Sequence, residues 1–416
     1  MARGSWAAAA LIAFFPAGAH ARGAVFLDAE LLGGQFFYRE ASSSFGGLAR
    51  FDGGYAHEMS ERWTAFANYQ GGYKGFKDVN DLVGGGTLFQ QSMDHRVSLK
   101  VERRIGERLT LKPRVAYSKE FFRETNDEKW GKGLYDFDRM GIGLVADYRL
   151  GGEERPALLS AGYNFFSTAY PNYKTLFSKF GAEVASVSLG GQSNPGSRTL
   201  DTLSHQFNVD LTKEFSGRWN AWSSYNFSLR SFPDQFIIDS QARYLSDKRL
   251  DQSHSLDAGV GYKPERTFSL LRARIKTSSN LGYRFEWSAS NQNHFDTDPA
   301  ILTFVPNYYD YVENSLSPGV QALVSPLDLA ISLGYNLSIR NYLDRRVQDS
   351  DGQYQGATLS QTNHMVSLGA SLPIFKRLLF KTSFQWRLSR ANTAYEKTYR
   401  YNYGSAQYFA GLAYSL

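Results

Sequence analysis

The chain has 416 residues, a net charge of +6 and no cysteine, so an exported fold of this size cannot rest on disulfides. Aromatic residues make up 15% of it, with 38 glycines against 12 prolines, and the cations form no stripe of the kind that binds nucleic acid. Past the first residues, no apolar run reaches the length of about 20 that a membrane-spanning helix needs.

At the start, Arg3 precedes an apolar run over 6–15, Pro16 and Gly18 break it, and AHA at 19–21 fits a small-x-small cleavage site. This reads as a Sec signal peptide spanning 1–21, leaving 22–416 as a single domain. No linker, charge block or change of composition divides that remainder.

From there the pattern is period two. In RVSLKVE (96–102), Val97, Leu99 and Val101 share one face, and Arg96, Ser98, Lys100 and Glu102 the other. LRARIKTSSNLGYRFEW (271–287) and LAISLGYNLSIR (329–340) alternate in the same way. Apolar residues at helical spacing are missing from these segments. The strands predicted in chain order are 24–38, 45–58, 63–76, 88–105, 109–122, 134–149, 158–170, 201–215, 219–231, 253–263, 271–290, 308–324, 328–343, 362–375, 378–392 and 400–416. Pro113 and Pro318 fall inside strands, each at the loss of a ladder bond, and Pro318 beside Gly319 points to a bulge.

The connections alternate between short and long. Tight turns are expected at 60–62, 106–108, 216–218, 325–327 and 376–377, and less tidy ones at 151–156 and 264–269. Long polar loops are expected at 77–87, 123–133, 171–200, 231–252, 291–307 and 344–360. A sandwich would carry similar loops at both ends. Tight turns at one end and long loops at the other predict an all-β, antiparallel, up-and-down transmembrane β-barrel of about sixteen strands, fourteen being the alternative. Such a barrel leaves no sheet edge unpaired in the bilayer. Trp63, Tyr148, Trp219, Tyr262 and Phe375 flank short turns, while Phe121, Phe165, Trp287, Tyr309, Tyr311 and Tyr401 flank long loops, as interfacial girdles require.

The chain closes on QYFAGLAYSL (407–416), with Tyr408, Ala410, Leu412, Tyr414 and Leu416 on one face. This ending resembles the C-terminal signature of the Gram-negative outer-membrane β-barrels, a porin-like architecture. Tyr408, Leu412 and Tyr414 match that signature, whereas Leu416 stands where the family carries Phe or Trp. The resemblance implies a bacterial outer-membrane location, insertion by the barrel-assembly machinery, and contact with outer-membrane lipids and lipopolysaccharide. It leaves the oligomeric state open.

Barrels of sixteen to eighteen strands enclose a water-filled channel. The positions opposite the apolar face are small or polar, among them Ser160, Gly162, Asn164, Asn208, Asn226, Ser332, Asn336, Ser367, Gly369, Ser383 and Gln385. A porin-like channel for small hydrophilic solutes is therefore expected. The alternative is a surface barrel, or a polymer-export conduit working with partner proteins. Inward cations outnumber inward acids: Arg96, Lys100, Arg104, Lys112, Arg114, Arg272, Arg274, Lys276, Arg340, Lys381 and Arg387 are the candidate pore lining, and Arg96, Lys100, Lys112 and Arg114 are expected to form one positive wall favouring anions. The loop 171–200 carries apolar alternation at Val184, Val187 and Leu189, with Lys179 and Glu183 nearby. It is the candidate constriction, or else a hairpin extending above the membrane.

Catalysis is not expected. His95, His205, His254 and His364 lie near Asp94, Asp201 and Asp251 in the sequence, but on strands spread around the circumference, so most cannot meet. NQNHFDTD (291–298) is a candidate cation loop with a solvated loop as the stronger reading. VGGGT (83–87) lacks the Lys-Ser/Thr of a phosphate loop. No cofactor and no metal centre is expected.

Overall fold

The computed structural model describes residues 22–416 apart from 39–43, 76–90, 124–127, 153, 174–197, 271–272, 297–302 and 397–399; the expected signal peptide over 1–21 lies outside the described residues. The strands are β1 (Arg22–Tyr38), β2 (Ser44–Ser60), β3 (Trp63–Lys74), β4 (Gln91–Ile105), β5 (Leu109–Arg123), β6 (Phe137–Leu150), β7 (Ala157–Ala169), β8 (Thr202–Glu214), β9 (Trp219–Ile238) and β10 (Tyr244–Tyr262). They continue as β11 (Phe268–Leu270), β12 (Ala273–Ser290), β13 (His294–Asp296), β14 (Thr303–Val305), β15 (Tyr311–Ser325), β16 (Leu329–Gln348), β17 (Tyr354–Phe375), β18 (Leu378–Ala391) and β19 (Tyr403–Ser415).

All except β13 and β14 join one antiparallel sheet. β11 pairs with β12 and carries on the line of β10 past a break at 263–267, so the sheet has sixteen staves. The sheet closes on itself. β1 pairs with β19 from Asp28 opposite Ser415 to Tyr38 opposite Ser405, and the Leu416 amide donates to the Leu27 carbonyl at 2.8 Å. The ordered C-terminal strand is thus the partner that β1 requires.

Every stave presents large apolar side chains outward. Leu31 is 68% exposed, Met140 66%, Ile142 54% and Leu333 52%, far above what a water-soluble surface carries as a continuous ring. Such a belt on a closed sheet belongs in a bilayer, and this is the architecture of a bacterial outer-membrane β-barrel. The short turns mark its periplasmic end and the long connections its extracellular end.

Three expectations change. β9–β10 and β16–β17 continue as paired ribbons past the belt, where loops over 231–252 and 344–360 were expected. Each ribbon tip is closed by an Asp side chain: Asp239 accepts from the amides of Gln241 and Arg243, and Asp349 from those of Asp351 and Gln353. Pro318 makes no bulge. Leu316 faces Leu337 and Gly319 faces Gly334, so β15 and β16 keep register across the missing rungs. Tyr311 and Tyr401, expected at the lipid interface, instead hold arginines: Arg340 lies 4.1 Å from the Tyr311 ring and Arg345 5.5 Å from that of Tyr401.

Candidate functional site: the inner wall

The face opposite the belt is lined by short, polar and charged side chains, and many of the longer ones lie along the wall. Glycine permits this. A Cβ built on Gly259 would sit 2.1 Å from the Trp222 indole on the neighbouring stave. Phe26 covers Gly54 at 2.3 Å and Phe166 covers Gly141 at 2.7 Å by the same measure. The amides of Asn164, Asn208, Asn220 and Asn280 rest in turn on Gly143, Gly162, Gly261 and Gly319. Each of these inward side chains therefore has a bare backbone opposite and folds onto it, lying along the wall.

Several acids on this wall are held by neighbours. Asp52 accepts from Asn68 and from Gln70, the latter at 2.9 Å; Asp210 accepts from Asn208 at 2.7 Å and from Ser224. Glu286 accepts from Tyr311 at 2.6 Å and pairs with Arg284 at 2.7 Å.

Two of the four cations expected to form a positive wall on β4 and β5 are paired with acids. Lys100 pairs with Glu102 at 2.8 Å and Lys112 with Asp147 at 2.6 Å, both acids also lying inward. Arg114 donates to Asn164 at 2.7 Å. Arg340 pairs with Glu313 at 2.7 Å, Lys381 with Glu30 at 2.8 Å, and Arg387 rests against the Met365 sulfur at 3.9 Å. Arg96, Arg104, Arg274 and Lys276 lie inward with no ion pair among the described residues. Arg272 lies outside them, as do the candidate constriction residues Lys179, Glu183, Val184, Val187 and Leu189.

A different segment packs at the extracellular mouth. The described residues 291–296 and 303–310, including the paired β13 and β14, are stitched to both neighbouring ribbons. Gln292 donates to the Phe236 carbonyl and Asn293 to that of Ile238; on the other side Asn307 donates to Asp344, and Tyr354 donates to Asp296. Arg345 lies 4.2 Å from the Tyr308 ring and 5.1 Å from that of Tyr342, and hydrogen-bonds the Tyr401 hydroxyl. The His294 ring packs against that of Tyr308 at a tilt, with centroids 4.4 Å apart. Burial holds the His294 imidazole below its ordinary value and pushes the Tyr308 phenol up. The NQNHFDTD segment thus spends its first amides on backbone, and among the described residues no cluster suited to a metal forms. Sequence periodicity could not find this collar. The pairing of β16 with β17 jumps between Asn341 and Arg346, which breaks the alternation just where Arg345 turns inward.

The histidines do not meet the neighbouring acids. His95, His205, His254 and His364 point to lipid, each hydrogen-bonded through Nδ1 to a tyrosine of the preceding stave: Tyr69 at 2.7 Å, Tyr163 at 2.8 Å, Tyr225 at 2.7 Å and Tyr335 at 2.7 Å. The geometry repeats because each histidine sits on the stave's diagonal neighbour, two rungs above the residue facing the tyrosine. Asp94 points the other way, into the lumen beside Gly72, while Asp251 pairs with Arg249 at 2.8 Å. Of the C-terminal signature, Tyr408 and Leu412 are exposed on the lipid face, Tyr408 donating to Gln35 of β1 at 3.0 Å, and Tyr414 and Leu416 complete the closing strand's end.

No family model matches the chain, and no curated protein is matched. Among solved structures, it is similar to OmpT, an outer membrane protein of Vibrio cholerae, at 11% identity, covering 95% of this chain and 99% of that one with a TM-score of 0.46. It is also similar to the anion-selective porin from Comamonas acidovorans, at 9% identity, 95% and 100% coverage and a TM-score of 0.45. A bacterial polysaccharide outer membrane secretin is similar at 10% identity, 94% and 98% coverage and a TM-score of 0.43.

Proposed function

We propose that the protein is a porin-like channel through which small hydrophilic solutes diffuse passively across the outer membrane, with a mild preference for anions. The observation that carries this reading is the flattened inner wall: indole, phenyl and amide side chains folded onto facing glycines leave room for water and solute. The anion preference rests on Arg96, Arg104, Arg274 and Lys276, which have no carboxylate within ion-pair distance among the described residues, whereas inward acids such as Asp52, Asp147, Asp210 and Glu286 are hydrogen-bonded or paired. Unpaired charge along a narrow aqueous path biases ion entry through the local field.

Purified protein in a planar bilayer tests both parts. Discrete conductance steps, with a reversal potential of anionic sign in a salt gradient, are expected; silence at every voltage would remove the channel reading. A second reading draws on the two ribbons that rise past the belt. They would give a surface barrel something to present to a partner, and a silent barrel that captures a defined ligand would favour it. The insertion role of Tyr408, Leu412, Tyr414 and Leu416 is part of the same proposal. Replacing Tyr408 and Leu412 by Ser should slow assembly of the closed form in vesicles that contain the barrel-assembly machinery.

A further inference from the structure

The periplasmic half of the lumen holds a cavity of about 780 Å³ against the inner wall formed by β12, β15, β16, β17 and β18. Its charges are unequal. Of its acids, Glu30 is held by Lys381 at 2.8 Å and Glu265 is paired with Arg218 on the adjoining turn. Lys276 and Lys263 also line it, and neither has an ion pair among the described residues. The hydroxyls of Ser278, Ser332, Ser371 and Ser383 and the Gln321 amide face the same space without a side-chain hydrogen-bond partner among the described residues. A recess that combines spare ammonium groups with spare hydroxyls suits one ligand chemistry. Charge alone attracts any anion, whereas hydroxyls and an amide add donors and acceptors that only a hydroxylated ligand can use.

We propose that this recess is a binding site for small polyhydroxylated anions, the sugar acids being the representative class, with Lys276 taking the carboxylate and the serine row meeting the ligand hydroxyls. The proposal deepens the channel reading, since it names the class of solute that the lumen holds. It also places the ligand on a different part of the wall from Lys100 of β4 and Lys112 of β5, which are already paired.

Calorimetric titration of the folded barrel in detergent tests it with gluconate, acetate and sorbitol as probes. Gluconate should bind at least about tenfold more tightly than either acetate, which has the charge without the hydroxyls, or sorbitol, which has the hydroxyls without the charge. Lys276→Gln should weaken gluconate binding about tenfold, and Lys276→Gln with Lys263→Gln further, whereas Lys376→Gln in the β17–β18 turn should leave it unchanged. Heat-modifiable gel mobility checks that each variant is folded. Gluconate binding no tighter than acetate, or equal binding by wild type and Lys276→Gln, overturns the site. The two proposals fail separately: conductance without gluconate binding leaves the channel and removes the site, and gluconate binding to a silent barrel does the reverse.

Discussion

Replacing Gly259 by Ala tests whether the glycines keep the lumen open. The new Cβ would lie 2.1 Å from one Trp222 carbon and 2.6 Å from two more. Ordinary carbon contacts need about 3.5–4.0 Å, so the indole must move by roughly 1.5 Å. The backbone of β9 and β10 is held by continuous pairing from Tyr262 opposite Trp219 to Leu250 opposite Ser231, so the side chain gives way before the sheet does. Trp222 then swings off the wall and into the lumen. The stability cost is that of overpacking at one site, about 1–3 kcal/mol. Single-channel conductance should fall, and urea unfolding in detergent should show the loss of stability. Adding Trp222→Ala should restore conductance in the same protein, because the obstructing ring is gone. Unchanged conductance and stability in Gly259→Ala would refute the idea that the glycine exists to accommodate the indole, as would a conductance loss that Trp222→Ala fails to relieve.

Gly411→Ala should be harsher, at about 3 kcal/mol, because its Cβ would meet the Leu31 carbonyl oxygen at 2.0 Å and the Leu32 Cα at 2.8 Å; these are backbone atoms of the closing seam, and a reduced yield of the heat-modifiable folded form is the readout. His254→Phe leaves the Tyr225 hydroxyl without its hydrogen-bond partner in the lipid belt, at a cost of about 0.6–2 kcal/mol by urea unfolding, and the loss should disappear when Tyr225→Phe is added. Arg345→Ala removes the cation from the rings of Tyr308, Tyr342 and Tyr401, so limited proteolysis should cut within 291–310 several times faster. Acidification should loosen the same segment. Burial depresses the His294 pKa in the folded protein, so the unfolded segment binds more protons and docking is fully stable only above the ordinary histidine value of about 6.5. Hydrogen exchange over 291–310, corrected for intrinsic rates, should rise as pH falls below that value in the wild type but not in His294→Phe.

Most of the barrel was legible in the sequence because a bilayer leaves few ways to satisfy a backbone. Alternation such as Val97, Leu99, Val101 against Arg96, Ser98, Lys100 can only mean lipid on one side and water on the other once the sheet closes. Turn residues with no apolar periodicity set where each stave ends, so the observed bounds fall close to those expected within the belt. Above the belt that constraint vanishes. Polar ribbons such as 231–252 read as loops, although an Asp-closed tip and antiparallel pairing make them strands. The phase of side chains is equally local: the jump between Asn341 and Arg346 carried Arg345 into a tyrosine collar that no period-two reading could place. Charge was legible as inward or outward, but not as paired or spare. Lys112 and Lys276 look alike in sequence. Only the register, which sets Asp147 beside Lys112 and leaves Lys276 opposite Leu323 facing free serines, decides which of them still has a field to offer a passing anion, because ion pairing falls off within a few ångströms and here depends on cross-strand neighbours far apart in the chain.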